Sequence, residues 1–140
     1  MEIKQLKTNQ ELEIIFPIVK ELRPHLSFEE YIYLVREAEN DNQYKLVGIF
    51  ENNLPLAVMG YRILFDFVHG KHLYIDDLVV TQSLRSKGYG EMLLEYAERE
   101  AKKLDCKWLR LSTGIENERG KKFYERCGWK MRSVTYKKKL

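Results

Sequence analysis

Residues Leu73 to Thr113 read LYIDDLVVTQSLRSKGYGEMLLEYAEREAKKLDCKWLRLST. An apolar, β-branched run, LYIDDLVV, stops at a short polar stretch. Two glycines one residue apart, Gly88 and Gly90, then open a periodic segment. In that segment Tyr89, Met92, Leu93, Tyr96, Ala97, Glu100, Ala101 and Leu104 recur at helical spacing, with Glu100 the one polar position on the face. A second apolar run, CKWLRLST, follows. The pattern is strand, helix, strand. Two strands joined by a helical crossover lie parallel, so part of the sheet must be parallel.

Working outward, the flanks predict antiparallel neighbours. MEIKQL alternates as a short strand. Thr8 with Glu11 forms a capping box before a helix carrying Leu12, Ile15, Phe16 and Val19. Pro17 lies inside that pattern and is expected to kink or divide it. Ser27 and Glu30 predict a second capping box, opening a helix with Tyr31, Leu34, Val35 and Ala38 on one face. YKLVGIF and LPLAVMGYRILFDFV read as a hairpin around the ENN turn, with a bend or bulge near Gly60. HGK turns the chain into the strand that begins HLYIDDLVV. After the central unit, ENERGKKFYERCG reads as a short helix closed by Gly128, and WKMRSVTYKKKL alternates as a final strand. The expected order is β α α β β β α β α β. The fold class is α/β (α+β), with a mixed, mostly antiparallel sheet and helices on both faces.

With 140 residues, 44% of them hydrophobic, the chain is expected to form one domain over 1–140. The net charge of +3 permits anionic partners without demanding nucleic acid, and no recognition-helix pattern supports that class. No apolar run approaches the ~20 residues that span a bilayer. The N-terminal residues lack a signal-peptide core, so a cytoplasmic protein without membrane contact is expected. Cys106 and Cys127 lack metal-ligand spacing and are expected to be packing residues. His25, His69 and His72 are scattered over a loop and a hairpin, and no metal is expected.

The glycine turn carries the chemistry. A helix N-terminus presents unpaired N–H groups and about half a positive charge, so it holds an anion without a dedicated side chain. Gly88 and Gly90 let backbone approach a phosphate, and Arg85 and Lys87 add positive charge. A P-loop needs a different glycine spacing followed by Lys-Ser/Thr. A dinucleotide fingerprint needs a third glycine where this chain has Leu93. Both readings fail.

Arg85-Ser86-Lys87-Gly88-Tyr89-Gly90 fits the [RQ]-x-x-G-x-[GA] signature of the GNAT superfamily of N-acetyltransferases. IDDLVVTQSLRSKGYGEMLL resembles that family's central strand, pyrophosphate loop and helix, and LSTGIENERGKKFYERCGWK resembles its next strand, Asn-containing loop and Phe-Tyr helix. The resemblance covers nearly the whole chain. It implies a central pair of splayed parallel strands that opens to receive acetyl-CoA as co-substrate. Backbone near Leu78, Val79 and Val80 would meet the pantetheine arm and thioester carbonyl, and Ser86 to Gly90 would cradle the pyrophosphate. Asn117 matches a pantetheine-contacting Asn, and Tyr124 matches the Tyr near the sulfur. The implied reaction is direct attack by a primary amine of a small molecule or peptide. An N–H near Val80 would face the oxyanion, and Tyr124 would be the general acid. Asp76 stands where many members carry a Glu and is the candidate base, acting through water because it is shorter. By strand alternation Asp76 and Asp77 are expected to face opposite ways.

Plainer readings stand beside these. The turn can be an ordinary βα loop, Tyr124 a core aromatic, Asp76 and Asp77 structural, and Asn117 a helix N-cap. A non-catalytic acyl-CoA-binding module of the same fold is the alternative to the enzyme. In the resembled fold the acceptor pocket is built by the first two helices and the hairpin around 60–72, which implies Phe28, Tyr31, Tyr33, Tyr61, Phe65, Phe67 and Asp66 as pocket candidates, a set suited to a cationic amine, with core packing the plainer reading of most of them. The family resemblance also allows a homodimer through the C-terminal strands.

Overall fold

The computed structural model describes all residues, 1–140. The chain divides into two compact units, Met1–Arg110 and Leu111–Leu140. In chain order the elements are β1 (Glu2–Leu6), α1 (Asn9–Leu22), α2 (Phe28–Asn42), β2 (Lys45–Glu51), β3 (Leu54–Asp66), β4 (Gly70–Val80), α3 (Tyr89–Lys103), β5 (Trp108–Leu111) and α4 (Glu118–Arg126). A single 3₁₀ turn, Gln82–Leu84, links β4 to the glycine loop.

The sheet runs in the order β1-β2-β3-β4-β5. The first four strands pair antiparallel as neighbours, and β4 and β5 are the parallel pair across α3. This is the mixed sheet that the strand–helix–strand pattern requires. Val58 and Val79 lie on one face and join Leu12, Ile15, Ile18, Tyr31 and Val35 of α1 and α2 in a buried cluster. Tyr61 and Ile75, paired on the opposite face, are also buried, and Tyr61 meets Tyr96 of α3. Helices therefore cover both faces. Leu12 and Ile15 are wholly buried, and truncating such a side chain to Ala costs about 2–5 kcal/mol.

The helix starts follow the sequence, with one difference. Thr8 and Glu11 form the reciprocal capping box. Ser27 accepts the Glu30 N–H at 3.1 Å, but the Glu30 carboxylate takes the Ser27 hydroxyl rather than its backbone N–H. α1 is also undivided at Pro17. That residue is exposed, and so is Glu13, whose carbonyl loses its helical donor and can turn to water. Glu100, the polar position on the α3 face, accepts the Tyr96 hydroxyl at 3.2 Å.

The expected final strand is absent. Residues 127–140 carry no strand, and Met131, Val134 and Tyr136 are exposed. Alternation marks a segment that can pair, but a strand exists only where a neighbour takes up its N–H and C=O groups. No helix is long and apolar enough to cross a membrane.

Candidate active site

β4 positions the carboxylates through an irregularity that alternation alone misses. Its register with β3 shifts between Gly60 and Tyr61: Gly60 pairs with Asp77, Tyr61 with Ile75, and Asp76 is the extra residue. A bulge of this kind breaks the period of two. Arg62 and Tyr74 pair on one face, and Gly60 with Asp77 lies on that same face. Asp76 reaches it as well, because both its oxygens take the Arg62 fork, at 2.7 and 2.8 Å. Asp77 accepts from Arg23 at 3.1 Å and from the Tyr44 hydroxyl at 2.8 Å. The two acids thus share a face, contrary to the simple alternating expectation. Burial, and then the Asp77 charge, hold the Tyr44 hydroxyl well above its usual range, with Asp76 adding to the effect.

Gly60 makes this arrangement possible by close approach. The Tyr44 hydroxyl occupies the space that a Cβ at position 60 would need. Tyr44, Arg62 and Arg23 were not singled out from the sequence, and Gly60 was marked there only as a bulge position. Their signal is cross-strand pairing of opposite charges, which cannot be read until the bulge sets the register.

Leu78, Val79 and Val80 end β4, paired on one edge with Met59, Val58 and Ala57 of β3. On the other edge β5 has four residues against the eleven of β4, and it enters beside the start of β4, where the Lys107 N–H donates to the Lys71 carbonyl at 2.8 Å. The C-terminal part of β4 therefore extends past β5. Glu21 of α1 fixes the exit, accepting the Thr81 hydroxyl at 2.7 Å and the Gln82 N–H at 2.8 Å.

The glycine loop then turns through two left-handed residues, Ser86 (φ 69°) and Gly88 (φ 88°). Gly88 caps α3 without any side-chain hydrogen bond, and nothing lies within 4 Å of where its Cβ would stand. A helix leaves its first N–H groups without helical partners. Those groups begin at Tyr89, half-buried, and Gly90, buried, and the loop that leads into them, Arg85 to Gly88, is exposed. Charge, backbone donors and open space coincide, which is what an anion needs.

In the second unit, Asn117 caps α4. Its Oδ1 accepts the Gly120 N–H at 3.0 Å and its Nδ2 donates to the Thr113 hydroxyl at 2.9 Å. Tyr124 is half-buried, its ring edge-on to Phe123 and tilted against Trp129. Burial, with a smaller effect from Cys127, pushes its hydroxyl up to about 12.

The candidate acceptor aromatics do not form one cluster. Tyr31 is buried, donates to the Leu12 carbonyl at 2.9 Å and stacks on Phe16. Tyr61 is buried on the α3 side. Phe65 and Phe67 are exposed at the hairpin tip and Tyr33 is exposed on α2.

In a comparison with known families, residues 9–129 match the Acetyltransferase (GNAT) family. The chain belongs to the GNAT acetyltransferase family. It is an acyltransferase. Among curated relatives, an uncharacterized N-acetyltransferase, YhdJ, of Bacillus subtilis (strain 168) is 34% identical over 139 residues, covering 99% of this chain and 98% of its own. Among solved structures, a transcriptional regulator from Bacillus halodurans C-125 superposes with a TM-score of 0.87 at 18% identity, covering 99% of each chain. An aminoglycoside N-acetyltransferase, AAC(6')-Iy, in complex with CoA, superposes with a TM-score of 0.84 at 19% identity, covering 99% of this chain and 95% of its own. At these identities the structural likeness is one of GNAT fold.

Proposed function

We propose that this GNAT protein transfers the acetyl group of acetyl-CoA to a primary amine of a small molecule or peptide by direct attack, using the whole chain, 1–140, as its catalytic domain. The observation that carries the reading is the exposed loop Arg85 to Gly88 at the start of α3, with Ser86 and Gly88 left-handed and open space where a Gly88 Cβ would stand. It suits the pyrophosphate of CoA, with Arg85 and Lys87 adding charge. The CoA complex of the aminoglycoside enzyme supports the same co-substrate. The edge of β4 at Leu78, Val79 and Val80 offers backbone groups for the pantetheine, and Asn117 offers a further polar contact.

In the reaction the amine nitrogen forms a bond to the thioester carbon and the C–S bond breaks. The carbonyl oxygen takes negative charge in the transition state, and an N–H near Val80 donates to it. The nitrogen sheds one proton and the departing sulfur gains one. Asp76 is the proton acceptor, through water. A carboxylate has about four lone-pair sites, and the Arg62 fork uses one on each oxygen, leaving one on each. Tyr124 is the acid at the sulfur. A hydroxyl at about 12 facing a thiol near 8.5 would lose its proton outright only at a cost of about 5 kcal/mol. Tyr124 therefore works by donating a hydrogen bond to the departing thiolate, which takes its proton from solvent while Asp76 passes the amine's proton to solvent.

The test is release of free CoA thiol from acetyl-CoA across polyamines, amino acids, aminoglycosides and lysine peptides. Turnover with at least one class is expected. Tight CoA binding with no acceptor in any class would favour a non-catalytic acyl-CoA-binding module.

A further inference from the structure

The tip of the β3–β4 hairpin gathers three residues that acyl transfer does not use: Asp66, His69 and His72, spaced D-x-x-H-x-x-H. Leu64 pairs with His72 and Asp66 with Gly70, so Asp66 and His72 share a face. The turn brings His69 over the same carboxylate. Asp66 Oδ2 lies 3.1 Å from His69 Nδ1 and 3.8 Å from His72 Nε2. The three donor atoms all lie within 4.8 Å of one another. Atoms sharing a tetrahedral zinc ion, at bond lengths of roughly 2.0–2.2 Å, stand about 3.3–3.5 Å apart. The Asp66–His69 side is near that size, and the other donors must draw in as the ion binds.

His72 is wholly buried, and its tautomer is fixed. Arg110 has only donors, and its Nη1 is 3.2 Å from His72 Nε2. Nε2 is therefore the acceptor, and Nδ1–H donates to the Gly70 carbonyl at 3.0 Å. A backbone carbonyl on the far nitrogen is the support a metal-binding imidazole needs. The His69 ring stands edge-on to Trp108. Arg110 Nη1 is also 3.5 Å from Asp66 Oδ2, so a cation already rests against two of the three donors. That side chain is partly exposed, with its guanidinium over the Tyr74 ring, and can swing outward.

We infer that Asp66, His69 and His72 form a site for a divalent transition metal of the zinc type, with Arg110 as an internal cation that the ion displaces. Two imidazoles and a carboxylate suit zinc and leave a fourth position for water. The ion ties the end of β3 to the turn and to β4, bracing the hairpin.

The full chain, without a histidine tag, is titrated with Co²⁺ and then Zn²⁺ by visible absorption and calorimetry, with thermal melts alongside. One Co²⁺ per chain is expected, with the absorption of a four-coordinate ion, displacement by Zn²⁺ and a raised Tm. His69→Gln, at a partly exposed turn position, should lower affinity by about a hundredfold or more with an unchanged circular dichroism spectrum. Arg110→Gln removes a competing charge and should raise affinity on the order of tenfold. His72→Gln should abolish binding, with His69→Gln carrying the test if the buried variant does not fold. Absence of binding by both the parent chain and Arg110→Gln would overturn the site. So would parent-like affinity in His69→Gln, which would put the ion elsewhere.

Discussion

Replacing Gly88 separates backbone strain from phosphate access. Gly88 sits at φ 88°, ψ 2°, where a residue with a Cβ loses about 1–2 kcal/mol. Nothing lies within 4 Å of the added Cβ, so Gly88→Ala should fold, with that strain as its main cost. For a chain of this size the loss corresponds to a Tm drop of about 3–10 °C. The methyl group would stand in the open space through which a phosphate reaches the N–H groups of the loop. Losing one charge-assisted hydrogen bond costs about 1.5–3 kcal/mol, so CoA affinity should fall roughly tenfold to 150-fold. Gly88→Asn divides the two effects. Asn accepts left-handed backbone more readily, so its Tm should recover while CoA affinity stays low. Affinity is read by calorimetry with CoA and stability by thermal melts. If Gly88→Ala binds CoA like the parent chain, the cradle is not at this loop. If Gly88→Asn regains affinity together with Tm, strain alone was responsible.

Tyr124→Phe should lower kcat by about 10²–10³-fold with CoA affinity unchanged, as steady-state kinetics and calorimetry will show. Because the hydroxyl is pushed up to about 12, it is a donor below that pH and is lost as an acid only above it. An alkaline fall in kcat near pH 10 that vanishes in Tyr124→Phe would contradict the raised value, and an unchanged kcat in Tyr124→Phe would contradict the assignment. Gly60→Ala drives a methyl group into the Tyr44 hydroxyl; about 1–3 kcal/mol of stability should go, along with a slower rate at unchanged CoA affinity. Glu11 is held below its usual 4.5 by the backbone N–H groups of Thr8 and Lys7. Its contribution is present above that value and lost as pH falls through the lowered one, so Glu11→Gln should flatten the acid limb of a melt-versus-pH curve.

The parallel pair, the capping box of α1 and the bulge near Gly60 were legible because each rests on local pattern: strand–helix–strand order, Thr8 with Glu11, and a glycine inside an apolar run. The glycine loop was legible for the same reason. The facing of Asp76 and Asp77 was not. It depends on where β3 slips against β4, and alternation assigns the two acids to opposite sides when one residue is extra. The tail from Trp129 to Leu140 misled in another way, since its pattern says which side chains would alternate and nothing about an edge to pair with. Of the candidate aromatics, Tyr31 and Tyr61 are core residues, and they read alike in a sequence whether they line a pocket or fill a core; only the Leu12 carbonyl and Tyr96 beside them tell. Conversely, His72 and Arg110 lie far apart in sequence and meet only across strands.

The most direct test of the acyl-transfer account follows the acetyl group itself. Acetyl-CoA labelled in its acetyl carbon is mixed with the protein, first alone and then with an amine that supports thiol release, and each product is weighed by mass spectrometry. Direct attack predicts label on the acceptor nitrogen, one free thiol per product, and unlabelled protein when no amine is present. Label that stays on CoA with every amine, or that appears on the protein before any amine is added, would contradict it.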